Sequence, residues 1–274
     1  MSVKKEASGR RSVQVEVEVP GTPEEVWQAI ATGPGISSWF VPTEFEERDG
    51  KPVAVKKNFG PGMESRAVVT AWDPPRRYAA EAPGWVPNSP PMATEWSVEA
   101  RAGGVCLVRV VHSLFASTDE WDNQLEGTES GWPAFFRILR LYLTHFRGQR
   151  SALMQFMAPV AGTKAEAWET LTAALGLRGV SVGQRRAAPN GVPSLGGVVE
   201  HASQSPCDAL LRLDQPGPGA AALGAVSFGG HVMVTLSFYL YGDQAAGIVA
   251  RETPLWQTWI DGRFPMPNRP SKNE

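Results

Sequence analysis

The pattern Gly-Thr-x-x-Glu-x-Trp occurs twice in this 274-residue chain, at residues 21–27 and again 141 positions later at residues 162–168. Ahead of the first copy Val13, Val15, Val17 and Val19 alternate with Gln14, Glu16 and Glu18, the pattern of a half-buried strand. Met154, Phe156, Ala158 and Val160 stand at the same offset ahead of the second copy, and Gly35 falls on Gly176. Within each copy a Thr followed three residues later by Glu has the form of a capping box, with Pro23 at the first helical position in copy one. A chain built this way folds as two strand–helix-led domains. The expected organisation is a disordered leader 1–11, a first domain 12–150, a shorter second domain 151–264 and a disordered tail 265–274.

Charge is nearly balanced, net −2 with pI about 6.1. A broad nucleic-acid or anionic-membrane surface needs a basic footprint, so neither partner is expected. Residues 1–11 lack the apolar stretch of a signal peptide, and no apolar run nears the ~20 residues of a membrane span. The expected location is the cytoplasm. Cys106 and Cys207 fall in different domains, and two lone thiols make neither a disulfide framework nor a metal site. The ten Trp fill cores or line apolar pockets.

In the first domain a helix is expected to about Thr32, broken by Gly33-Pro34-Gly35, with a short second helix over Ile36 to Phe40. Strands follow at about 41–48, 52–59, 63–72, 76–82, 92–101 and 104–115, separated by turn formers such as Asp49-Gly50 and Gly103-Gly104. Pro83, Gly84, Pro87, Pro90 and Pro91 surround Trp85 in a loop. Trp132, Phe135, Phe136, Leu139, Leu143 and Phe146 then follow helical spacing. In the second domain a helix over 164–175 precedes strands near 178–186, 192–203, 208–214, 220–228 and 231–241. A final helix over 243–264 is interrupted at Pro254. The fold class is α+β: tandem helix-grip domains, each a curved antiparallel sheet wrapped around a long C-terminal helix.

This order resembles the SRPBCC (START/Bet v 1-like) superfamily. The carriers are Pro20-x-Thr22-Pro23-Glu24-Glu25-Val26-Trp27, Ile36-x-x-Trp39-Phe40, Asp73-Pro74-Pro75-Arg76-Arg77 and Gly131-Trp132. They make the first domain similar to Hsp90-ATPase-activator homologues (AHSA1-like). The second domain resembles the fold only through residues 162–168 and its element order. The resemblance implies a seven-stranded sheet, a cavity between sheet and helix, and ligands such as lipids, hormones or polyketides. It also implies that some members are cyclases and some contact chaperones.

With Arg109 outward, alternation turns Cys106, Val108, Val110, His112 and Leu114 inward, and Thr94, Trp96 and Val98 likewise. The last helix offers Trp132, Phe136, Leu139 and Leu143, and Trp39 with Phe40 would flank the mouth. These residues form an apolar chamber with few polar groups, the composition of a hydrophobic-ligand pocket. His112 is the inward candidate for acid–base work, with Tyr142 or Tyr78 as a partner. The remaining histidines lack ligand spacing, so no metal is expected, and no cofactor motif is present. The expected role is binding a lipid- or polyketide-like molecule in the first domain. A cyclase/aromatase using His112 and Tyr142, or a chaperone-associated interaction protein, is the alternative.

Overall fold

The computed structural model describes residues 3–60, 62–83, 89–116, 118–228 and 230–265. The chain divides into two compact units, residues 1–150 and 151–274. The loop expected around Trp85 and most of the expected tail lie outside the described residues.

The first unit opens with a two-residue strand, β1 (Lys4–Lys5), paired to β2 (Arg10–Pro20). The leader expected to be disordered therefore joins the sheet. Its cations hold it there. The Arg11 guanidinium donates to Asp119 and Asp122, both at 2.6 Å, and Lys5 reaches the same carboxylates at 2.9 and 3.0 Å. Asp119 and Asp122, at the start of this unit's last helix, thus clamp the N-terminal strands.

Helix α1 (Pro23–Ile30) begins with the expected capping box: the Glu25 amide donates to Thr22 Oγ1 and the Thr22 amide to Glu25 Oε2. Helix α2 (Gly33–Ser37) starts on the Gly-Pro-Gly segment rather than after it. Thr32 caps it by accepting from the Gly35 amide, and Pro34 fits a first turn, where no amide is needed. Gly35 also sits where a Cβ would lie 1.9 Å from the Gln28 carbonyl oxygen, so only glycine allows this approach.

A meander follows: β3 (Thr43–Arg48), β4 (Lys51–Asn58), β5 (Glu64–Asp73), β6 (Arg77–Ala82), β7 (Met92–Arg101) and β8 (Val105–Phe115). β2 returns to pair antiparallel with β8, giving the order β1-β2-β8-β7-β6-β5-β4-β3 among the described residues. The seven strands implied by the resemblance are present, with β1 added at the edge. A 3₁₀ turn (Asp119–Trp121) leads into helix α3 (Asp122–His145), which packs mainly on β2 and β8.

The second unit repeats this plan with one strand fewer. β9 (Ser151–Val160) leads to α4 (Lys164–Ala174), capped by a reciprocal Thr163–Glu166 box. β10 (Arg185–Ala187), β11 (Gly196–Gln204), β12 (Cys207–Gln215), β13 (Gly219–Phe228) and β14 (His231–Tyr241) form the order β10-β11-β12-β13-β14-β9. The strand expected from residue 178 is reduced to three residues, because Gly179 and Gly183 take positive φ and break the extended run. Helix α5 (Ala245–Arg263) runs through Pro254 without the expected interruption. Its buried Ile248, Glu252, Trp256 and Ile260 are spaced by four residues across the proline, so packing on β9 and β14 holds both halves on one axis. A continuous core including Phe156, Trp168, Leu171, Leu211, Leu236, Phe238 and Trp256 fills this unit. No helix among the described residues is long and apolar enough to cross a membrane.

The two capping boxes make matching predictions. Thr22→Ala and Thr163→Ala should each cost about 1 kcal/mol, read as lowered urea midpoints with unchanged slope.

Candidate functional site

The inner face of the first sheet is laid out by strand register. Val13, His112, Thr94 and Ala80 stand opposite one another across β2, β8, β7 and β6. The next row is Val15, Val110, Trp96, Tyr78 and Trp72, reaching β5. Alternation of period two puts every member of each row on one face. The inward residues expected on β8 are all buried: Cys106, Val108, Val110, His112 and Leu114. So are Trp96 and Val98 on β7, and Trp132, Phe136, Leu139 and Leu143 on α3.

Aromatic rings meet where these elements converge. Trp96 and Trp132 lie 5.0 Å apart edge to face, and Trp132 is 5.3 Å from Phe136 and 5.4 Å from Phe40. Phe40 also touches Phe135 at 4.5 Å and Phe59 at 5.8 Å. Trp39 lies deep rather than at the mouth. It is fully buried, 6.1 Å from Trp96, and its indole donates to the Ala29 carbonyl at 2.9 Å. Leu114 stands apart from the rings, packed with Val13, Met92 and Leu125.

His112 is the polar centre of this cluster. The Trp132 indole N–H donates to its Nε2 at 2.7 Å. Indole nitrogen can only donate, so Nε2 is unprotonated and the proton sits on Nδ1, which faces Thr94 Oγ1 at 3.0 Å. Burial, helped by the positive charge of Lys57, pushes the His112 pKa down to about 3. The ring is therefore neutral at pH 7, with both nitrogens engaged.

The structure does not bring the expected acid–base partners to His112. Tyr142 lies ten residues beyond Trp132 on α3, about 15 Å along the axis. Its hydroxyl donates to the Gln149 carbonyl at 3.2 Å, and burial raises its pKa. The Tyr78 hydroxyl donates to the Ile30 carbonyl at 3.0 Å. Thr94 and Trp132 hold His112 instead.

Two features of this cluster stand out beyond the expected residues. Lys57 turns its ammonium toward the cluster, 5.9 Å from the Phe40 ring centroid. It shares the parity of Val55 and Phe59, and that alternation in the sequence marks it as inward-facing. The Trp96 indole N–H is buried without a hydrogen-bond acceptor. In the second unit Trp168 and Trp256 share that condition, so this feature alone does not single out the first chamber. No cluster of three metal-ligating side chains occurs among the described residues. A separate open depression is lined mainly by polar side chains, Lys4, Arg10, Gln14, Glu95, Arg109 and Glu129, with Val13 and Val111 beside them.

Against this geometry, residues 10–139 match the family described as "Polyketide cyclase / dehydrase and lipid transport". The match lies within the first unit, which is thus similar to that family. The finer likeness to Hsp90-ATPase-activator homologues rests on the four motifs within residues 20–132. Among solved structures, BexL, a di-domain ARO/CYC from the BE-7585A biosynthetic pathway, is 13% identical. That match covers 95% of this chain and 100% of BexL with a TM-score of 0.44. DynU16, from the dynemicin biosynthetic locus, is 17% identical over 90% of this chain and 94% of its own, TM-score 0.41. CalU16 from Micromonospora echinospora is 19% identical over 53% of this chain and 83% of its own, TM-score 0.40. No curated protein is significantly similar to the chain.

The state of His112 sets a pH prediction. Its folded pKa lies below the unfolded value of 6.5, so the stability that depends on neutral His112 is complete above pH 6.5. It is lost as pH falls from there toward 3. Removing this titration in His112→Gln should flatten the acid limb of stability by about 1 kcal/mol per pH unit below 6. Urea titrations of wild type and variant between pH 7 and pH 4 would read the difference (parallel curves would refute it).

Proposed function

We propose that the first unit binds a small hydrophobic molecule, lipid- or polyketide-like, in the chamber between its sheet and α3. One observation carries the reading. On the inner side, Lys57, Phe59, Thr94 and Phe135 keep partial solvent exposure although they touch the buried Phe40 or His112. A solid core would cover them; side chains at the lip of a cavity have this intermediate burial. The walls are Trp39, Phe40, Trp96, Val98, Val108, Val110, Trp132, Phe136, Leu139 and Leu143, with His112 fixed among them. Aromatic walls favour a flat, apolar ligand, since edge and face contacts add to the area buried. The family description, which joins cyclases and dehydrases with lipid transport, supports this ligand class.

Binding is preferred to catalysis because both His112 nitrogens are engaged and its basicity is low. A general base works best with a pKa near the operating pH. The cyclase reading is kept for one reason: the matched family includes cyclases. In it the chamber folds a flexible chain and His112 shapes the wall. The second unit, with its continuous core, serves as a structural copy.

Titration with the neutral probe N-phenyl-1-naphthylamine tests the reading. One probe should bind per chain, with energy transfer from tryptophan to the naphthylamine. Phe136→Ala, which enlarges the chamber, should change affinity at least fivefold. No binding, together with native mass spectrometry showing no co-purified small molecule, would reject it.

A further inference from the structure

The free polar groups of the chamber are unusual in kind. β4 turns Val55 and Lys57 to the inner face, with Phe59 just beyond its end, while Lys56 faces out and pairs with Glu46 at 2.8 Å. Lys57 has no such partner. Among the described residues no carboxylate pairs with its ammonium and no hydrogen bond reaches it. The residue keeps some solvent contact, yet its ammonium is surrounded closely enough that burial pulls its pKa down to about 8. Both facts fit a side chain at the mouth of a cavity whose charged end points inward.

An unpaired ammonium there is costly. Low-dielectric surroundings disfavour the charged form, and the Phe40 contact, at 5.9 Å to the ring centroid, lies at the outer reach of a cation–π interaction. A filled core would favour Met or Leu at this position. The other unmatched polar group on this face is the Trp96 indole N–H, again a donor. His112 adds nothing free, since its donor and its acceptor are engaged. The chamber thus offers unused donors and needs an acceptor.

Resting on the ligand-binding reading above, we propose that Lys57 is an oxyanion-recognition site. The ligand is a flat aromatic-sized molecule bearing one ionised oxygen group: a carboxylate, phenolate or enolate. Its apolar body lies against Phe40, Trp96 and Trp132, and its oxygen pairs with the Lys57 ammonium. The pair is desolvated by the surrounding rings, where a charge-assisted hydrogen bond is stronger than in water. A neutral isostere would leave the ammonium unpaired, so discrimination follows from that one residue.

The test uses the full chain and two probes of equal shape, 2-naphthoate and naphthalene-2-methanol, by isothermal titration calorimetry at pH 7. Wild type should favour the naphthoate at least tenfold. Lys57→Met should weaken naphthoate at least tenfold, leave the alcohol within about threefold, and erase the preference. Lys57→Arg should retain it. Binding of the alcohol to Lys57→Met shows that the variant is folded with its chamber intact, and Lys57→Gln serves if the Met variant does not fold. Equal affinities in wild type, or a preference that survives Lys57→Met, would overturn the proposal and leave the chamber reading standing. Failure of both probes and of the neutral naphthylamine would overturn both.

Discussion

Everything in the first unit depends on the pairing of its first long strand with its last. Val13, Val15, Val17 and Val19 on β2 stand opposite His112, Val110, Val108 and Cys106 on β8. This closes a chain separation of almost a hundred residues with an unbroken antiparallel ladder. The ladder puts two apolar rows side by side and gives α3 a surface to cover. The second unit uses the same device, β9 against β14 with α5 laid on both. A one-residue slip in either pairing would turn the buried rows to solvent, which is why register is strongly specified.

The aromatic cluster follows from that closure. Once α3 is docked, Trp132 meets Trp96 and Phe40, and its indole N–H finds His112. Few other arrangements would satisfy a buried imidazole and a buried indole with one bond of 2.7 Å. The bond fixes the tautomer and burial keeps the ring neutral, so His112 is best seen as part of the packed cluster. Among the described residues of this face, the Lys57 ammonium and the buried Trp96 indole N–H are left without hydrogen-bond partners, and both are donors.

Much of this was legible in the chain. Strict alternation in 13–19, and the outward Arg109 in 105–115, mark inward residues without any structure, because a strand has period two. The repeated Thr…Glu spacing identifies both helix starts, since capping is a local interaction among neighbouring residues. Other features depend on context. Gly33-Pro34-Gly35 reads as a break, yet Thr32 is available to cap a new helix there. Pro254 reads as an interruption, yet packing on both sides of it keeps α5 continuous. Lys5 lies in a leader that reads as disordered, yet Asp119 and Asp122, more than a hundred residues away, pair with it and β1 joins the sheet.

The sequence by itself determined the element order, the doubled plan, the inward set on β7 and β8, and the class of residue lining the chamber. These are set by local periodicity and capping, which act over a few residues. Only the tertiary structure decided which polar groups meet. It gave His112 a threonine and a tryptophan as partners in place of a tyrosine, drove Trp39 into the core, and left Lys57 without a counter-ion among the described residues. Those outcomes depend on how distant segments converge, and no local pattern encodes the distance between them.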